Sequence, residues 1–238
     1  MKWTLKIRGK LKGFFYVCQL HRITPSFLLN FIGHLASVSK WIQQHKKEAT
    51  YSDFYSYTYN YDNRFNLYQH VLDSGKLTTF NYLEFGVLNG KSLKWWLANA
   101  NHPDTRFFGF DTFTGLPEDW GPFKAGEMNA GNAPPIVNDT RCSFYQGLFQ
   151  QTLHPFLKSY NNAPTTVVHI DCDLYTSTLF VLTTLAPHLK PGDILLFDEF
   201  NVPLHEFKAF TEWTNAYYIN YQLIGGVNNY FQVAIKLK

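Results

Sequence analysis

The chain has 238 residues, 45% of them hydrophobic and 18% aromatic, which suits one generous domain with a sizeable core. Its three cysteines, Cys18, Cys142 and Cys172, are far apart and form no CxxC pair. That excludes a disulfide scaffold or a zinc site and predicts a reducing, cytoplasmic setting. The net charge of +3 hides an asymmetry: residues 1–47 carry nine Lys/Arg and no Asp/Glu, while the remainder carries twelve Lys/Arg against eighteen Asp/Glu. An acidic body with dispersed basic residues excludes a nucleic-acid track, which needs a positive stripe. No apolar run reaches the roughly 18 residues of a membrane span.

In chain order, residues 1–75 read as mostly helical, a basic N-terminal extension and substrate cover ahead of a cofactor-binding domain at 76–238. Phe14, Phe15, Tyr16, Phe27, Leu28, Leu29, Phe31 and Ile32 lie among the basic residues. The favoured reading is packing on the acidic body or on a sister subunit of a homo-oligomer. Peripheral docking on an anionic membrane surface stays open. Aromatics crowd residues 51–68, as core or as pocket lining.

From residue 80 the pattern settles. Strands are expected at 80–85, 106–111, 142–146, 165–171 and 193–198, with helices at 91–100, 149–159, 175–189 and 203–214, Pro203 in the first turn of the last. Residues 221–224 and 230–237 read as a terminal hairpin around Gly225-Gly226-Val227-Asn228-Asn229. Residues 112–140 form a long Gly/Pro/Asn-rich loop, of the kind that is usually functional. The alternation predicts an α/β fold: a Rossmann-like, doubly wound, mostly parallel seven-stranded sheet with a C-terminal antiparallel hairpin.

In such sheets ligands bind beyond the C-terminal strand ends. The first expected end is Glu84-Phe85-Gly86 with Gly90 and Ser92, which lacks the G-x-G-x-x-G fingerprint of dinucleotide sites. A sulfonium cation or amino group suits Glu84 better than a pyrophosphate does. The second end is Asp111, followed by Thr112, which can accept hydrogen bonds from ribose hydroxyls or can make an Asx-turn. The third is His169-Ile170-Asp171-Cys172-Asp173 with Asp198-Glu199 on the next strand. Three carboxylates brought together repel unless a cation neutralises them. Hard oxygen donors suggest Mg²⁺, with Ca²⁺ or Mn²⁺ as alternatives. Asp173 could equally cap the helix that follows, and His169 could be a buried core histidine.

These residues resemble the macrocin-type O-methyltransferases, class I enzymes that methylate sugar hydroxyls of antibiotics. The resemblance runs through Glu84–Val87, Gly109–Pro117, Gln146–Leu153, His169–Thr178 and Pro191–Glu199. It implies S-adenosylmethionine as methyl donor, bound by Glu84, Phe85, Gly86, Gly90, Ser92, Asp111 and Thr112, with Gly147 and Phe149 near the adenine. It implies a metal held by Asp171, Asp198 and Glu199, with Asp171 as general base, and a hydroxyl-bearing small molecule, a sugar, as substrate. Glu199 stands where the family usually has Asp. A cephalosporin-hydroxylase-like enzyme and a non-catalytic glycan-assembly partner are the alternatives.

Overall fold

The computed structural model describes residues 2–238, with side chains from Ile7 onward. Six consecutive residues, Phe80–Phe85 (β2), are all buried, the signature of a strand covered on both faces. β3 (Arg106–Asp111), β4 (Cys142–Gln146), β5 (Thr165–Ile170) and β6 (Ile194–Phe197) lie parallel to it. β7 (Tyr221–Val227) and β8 (Gln232–Leu237) form the antiparallel hairpin, β8 pairing with β6.

The expected seven strands are joined by an eighth, the two-residue edge strand Tyr51–Ser52 (β1), so the order is β1-β7-β8-β6-β5-β2-β3-β4. β1 pairs with Gly225 and Gly226. These two glycines, expected in the hairpin loop, lie instead within β7 at a register shift. A Cβ on Gly225 would sit 2.6 Å from the Tyr51 carbonyl oxygen, so glycine is what lets the edge strand approach.

β2 lies between β3 and β5. The chain leaves β2 toward β3 and β4, then returns to β5 on the other side. This is the switch point where a crevice opens beyond the strand ends.

Helices cover both faces. Residues 63–75 (α3) bury Leu67, Tyr68 and Val71 against Tyr82, Val167 and Leu196, together with Trp96 of helix Lys91–Asn99 (α4). Thus α3, N-terminal to residue 76, is part of the sheet core. The opposite face packs against helices Phe149–Leu157 (α5), Tyr175–Leu185 (α6) and Glu206–Ala216 (α7). α7 begins three residues later than expected. The chain first turns through residues 199–205, which returns the Glu206 carboxylate to the Glu199 N–H at 3.0 Å. Pro203 therefore precedes the helix.

The N-terminal segment is a pair of helices, Lys2–Val17 (α1) and Ser26–His45 (α2), joined by a 3₁₀ turn at Leu20–Arg22. Within α2, Val38, Trp41 and Ile42 are buried against the body. The expected packing of this segment on the acidic body is therefore confined to the C-terminal part of α2.

Candidate active site

A cavity of about 680 Å³ opens at the switch point. Its first end is built on the turn after β2. Gly86 has φ +91°, and a Cβ there would lie 1.7 Å from the Asp171 carbonyl oxygen. No side chain fits, so glycine lets the β2 turn lie against the end of β5. The next two N–H groups, of Val87 and Leu88, donate to Asp111 Oδ2 at 2.7 and 2.8 Å. Asp111 Oδ1 accepts the Phe113 N–H at 2.7 Å. Asp111 is thus both the Asx-turn weighed from the sequence and the clamp on the glycine turn. One acceptor direction on Oδ1 remains.

Glu84, Gly86, Ser92, Asp111, Thr112 and Phe149 line the cavity. Phe85, Gly90 and Gly147 do not. Strand alternation turns Phe85 away from Glu84 into the core, stacked on Phe110 at 4.8 Å. Gly90 sits in the left-handed region (φ +70°) immediately before α4, and Gly147 (φ +140°) precedes α5. Both act through backbone shape.

The second end is acidic. Asp171, the first residue past β5, and Glu199, two residues past β6, line the cavity together with Asp173. These three can place one carboxylate oxygen each within 4.8 Å of the others. Asp198 is not among them. Asp198 does not line the cavity itself and accepts hydrogen bonds from Arg64 Nη1, at 3.0 Å, and from the Tyr61 hydroxyl, two groups that do. Its Oδ1 can instead cluster with Asp171 and His169. Asp173, weighed as a helix cap, has φ +60° and leaves α6 to start after Leu174 with no side-chain cap. Its carboxylate belongs to the cluster instead.

Burial pushes the Asp171 and Glu199 carboxyls well above the usual range, and neighbouring carboxylates push further, Asp198 foremost for Asp171 and Asp171 foremost for Glu199. Asp173 is pushed up to about 7, by burial and then by Asp198. Glu206, fully buried behind them, is raised chiefly by burial. Among the described residues, Glu199 Oε2 and Asp198 Oδ1 are buried with no hydrogen-bond partner. Buried carboxylate oxygens without a donor are costly, and a divalent cation bound by hard oxygens removes that cost. The donor set fits such an ion.

A chain of buried rings joins the two ends. Tyr82 OH donates to Glu84 Oε2 at 2.6 Å and lies 2.7 Å from His169 Nδ1. A phenol has one proton. Since Tyr82 gives it to Glu84, its oxygen accepts from His169 Nδ1–H. His169 Nε2 then carries the lone pair, accepts from Tyr68 OH at 3.2 Å, and faces Asp198 Oδ1 at 4.0 Å. His169 is the core histidine weighed from the sequence, placed to orient its neighbours.

Tyr61 and Arg64 line the cavity and went unassigned in the sequence. They belong to the aromatic stretch 51–68, whose density was the available signal. The long loop supplies Leu116, Pro117, Glu118, Trp120 and Met128, and Glu118 is fastened to α6 by a 2.6 Å hydrogen bond from Thr176.

Residues 83–200 match the family model described as a methyltransferase domain. Among solved structures, the calicheamicin methyltransferase CalS11 is similar, with 23% identity, a TM-score of 0.57, and coverage of 74% of this chain and 77% of that one. The O-methyltransferase NovP is similar with 20% identity, a TM-score of 0.55, and coverage of 74% and 78%. At that identity the likeness speaks for the fold. A search of curated proteins finds no match. The domain match identifies residues 83–200 as a methyltransferase domain, and the switch-point cavity and the acidic strand ends lie largely within it.

Proposed function

We propose that the chain is a divalent-metal-dependent O-methyltransferase acting on a hydroxyl of a sugar or glycosylated small molecule. The observation that carries this reading is the cluster of Asp171, Asp173 and Glu199, in which Glu199 Oε2 is buried without a donor, in the same cavity as Glu84 and the Gly86 turn. Support for the acceptor class comes from the relatives: CalS11 is described as a TDP-rhamnose 3'-O-methyltransferase and NovP as an O-methyltransferase.

S-adenosylmethionine, when bound, supplies an electrophilic methyl group on a sulfonium centre. Glu84 offers negative charge to its cationic part, Asp111 Oδ1 one acceptor to a ribose hydroxyl, and Phe149 an apolar wall. Asp171, Glu199 and Asp173 would hold Mg²⁺, or Ca²⁺ or Mn²⁺, with Asp198 contributing negative charge from behind. This differs from the set implied by resemblance, in which Asp198 is a ligand and Asp173 is not. A cation held there would lower the pKa of a hydroxyl coordinated to it.

Asp171 would take the proton from the acceptor hydroxyl, leaving its oxygen to accept the methyl group from the side opposite sulfur as the carbon–sulfur bond breaks and its electron pair stays on sulfur. Most of the rate is expected from holding the two in line, worth up to about 7–11 kcal/mol in favourable cases. Tyr61 and the loop 112–140 shield the reacting groups from water.

The test is a sugar-nucleotide and glycoside panel assayed with Mg²⁺ and with chelator. A product heavier by one methylene unit, formed only with metal, is expected. A product heavier by one oxygen would assign a hydroxylase. Undiminished methylation in chelator would remove the metal from the reading.

A further inference from the structure

The N-terminal helices present an apolar surface that the body leaves bare. Among the described residues, thirteen of the twenty-four exposed large apolar side chains lie between Ile7 and Leu35. On α1, Ile7, Leu11 and Phe14 recur at helical spacing, and Phe14 is followed by the consecutive exposed residues Phe15, Tyr16 and Val17. On α2, the stripe Leu28, Phe31, Ile32 and Leu35 runs on into buried Val38 and Ile42. The same stripe is thus covered by protein at one end and uncovered at the other. Phe27 is 73% exposed, Leu28 52% and Leu29 57%.

Consecutive exposed apolar residues matter here. Successive helical positions turn by about 100°, so Phe14–Val17 and Phe27–Leu29 each look out on several sides. A docked protein surface covers one side of a helix. A soft membrane interface can fold around a wider arc of the helix than a rigid partner does. Near these residues Arg8, Lys10, Lys12 and Arg22 are exposed, with no acidic residue in the first 47. Two such segments facing each other would repel. No described helix is long and apolar enough to cross a bilayer, so the pair can lie on a membrane but not span it. Long basic side chains can reach past apolar neighbours to the headgroup layer.

We propose that α1 and the N-terminal half of α2 dock the enzyme on an anionic lipid surface, the apolar side chains entering the headgroup–acyl boundary and the basic ones meeting lipid phosphates. The inference is independent of the substrate and the metal.

The full chain is floated with vesicles of phosphatidylcholine alone and of phosphatidylcholine with phosphatidylglycerol, at low and high salt. At least tenfold more protein is expected on the anionic vesicles, and high salt should release part of it, as screening requires. Phe14→Glu with Leu28→Glu, and separately Lys10→Glu with Lys12→Glu, should each cut binding at least tenfold. All four side chains are exposed, so the melting temperature should not change. Equal binding to neutral vesicles, or none to either, overturns the proposal. So does a stable dimer that Leu28→Glu dissociates without any vesicle binding, which would give the surface to a second copy of the chain.

Discussion

The two ends of the cavity are built on opposite principles. At the glycine-turn end the polar groups are satisfied: Asp111 holds three backbone N–H groups and the Gly86 turn is wedged on the Asp171 carbonyl. At the acidic end they are not: Glu199 Oε2 and Asp198 Oδ1 are buried without a donor, and Asp171 and Glu199 are held protonation-prone by burial and by neighbouring carboxylates. A satisfied acid builds structure, whereas an orphaned one is kept for a ligand. Substitutions at the first end should therefore cost stability and binding together. Those at the second should cost turnover while relieving the folded chain.

The sharpest test is Asp171→Asn. Turnover should fall by about 10²–10⁴-fold, the usual contribution of a positioned base. S-adenosylhomocysteine affinity should stay within a few-fold, and the metal-free melting temperature should rise because one like charge is gone. A fall in melting temperature would break the comparison.

Arg64→Met comes next and marks the exception within the acidic end. It strips Asp198 of its buried cation, at a cost of about 3–5 kcal/mol. Asp198→Asn in the same chain should recover much of that in a denaturation cycle.

Gly86→Ala should cost about 3 kcal/mol through clash and a strained φ, and should abolish S-adenosylhomocysteine binding measured by calorimetry. Asp111→Asn keeps one carboxyl-type oxygen and should cost about 1–3 kcal/mol.

The smallest effect is in pH. Asp173 has a folded pKa raised to about 7, so the metal-free folded chain binds more protons than the unfolded chain between about pH 4 and 7. Stability should therefore decline as pH rises through that window. Mg²⁺ or Asp173→Asn should flatten the decline in pH-dependent denaturation.

Much of this was legible in the sequence for a physical reason. Strands buried on both faces write continuous apolar runs, and Glu84, Asp111, Asp171 and Glu199 stand at their ends, where parallel sheets gather ligands. What was hidden depends on direction and on distance. Asp198 and Glu199 are neighbours, and which one faces the cavity is decided by Tyr61 and Arg64, more than 130 positions away. Asp173 joins the cluster because its backbone adopts the left-handed region, which sequence pattern does not announce for an aspartate. The edge strand Tyr51–Ser52 has no pattern of its own and exists because two glycines of β7 leave room for it.

The ring chain from Glu84 to Asp198 has a polarity. Because the phenolic proton of Tyr82 is committed to Glu84, every hydrogen atom from Tyr68 onward points toward the methyl-donor pocket, and the imidazole shows Asp198 a lone pair instead of a proton. One phenol thus keeps the imidazole from donating to Asp198 Oδ1, the oxygen of that carboxylate that Arg64 and Tyr61 leave without a partner. In Tyr82→Phe the imidazole would be free to reverse its tautomer and donate to that oxygen, although Tyr82 itself is bonded to none of Asp198, Asp171, Asp173 and Glu199.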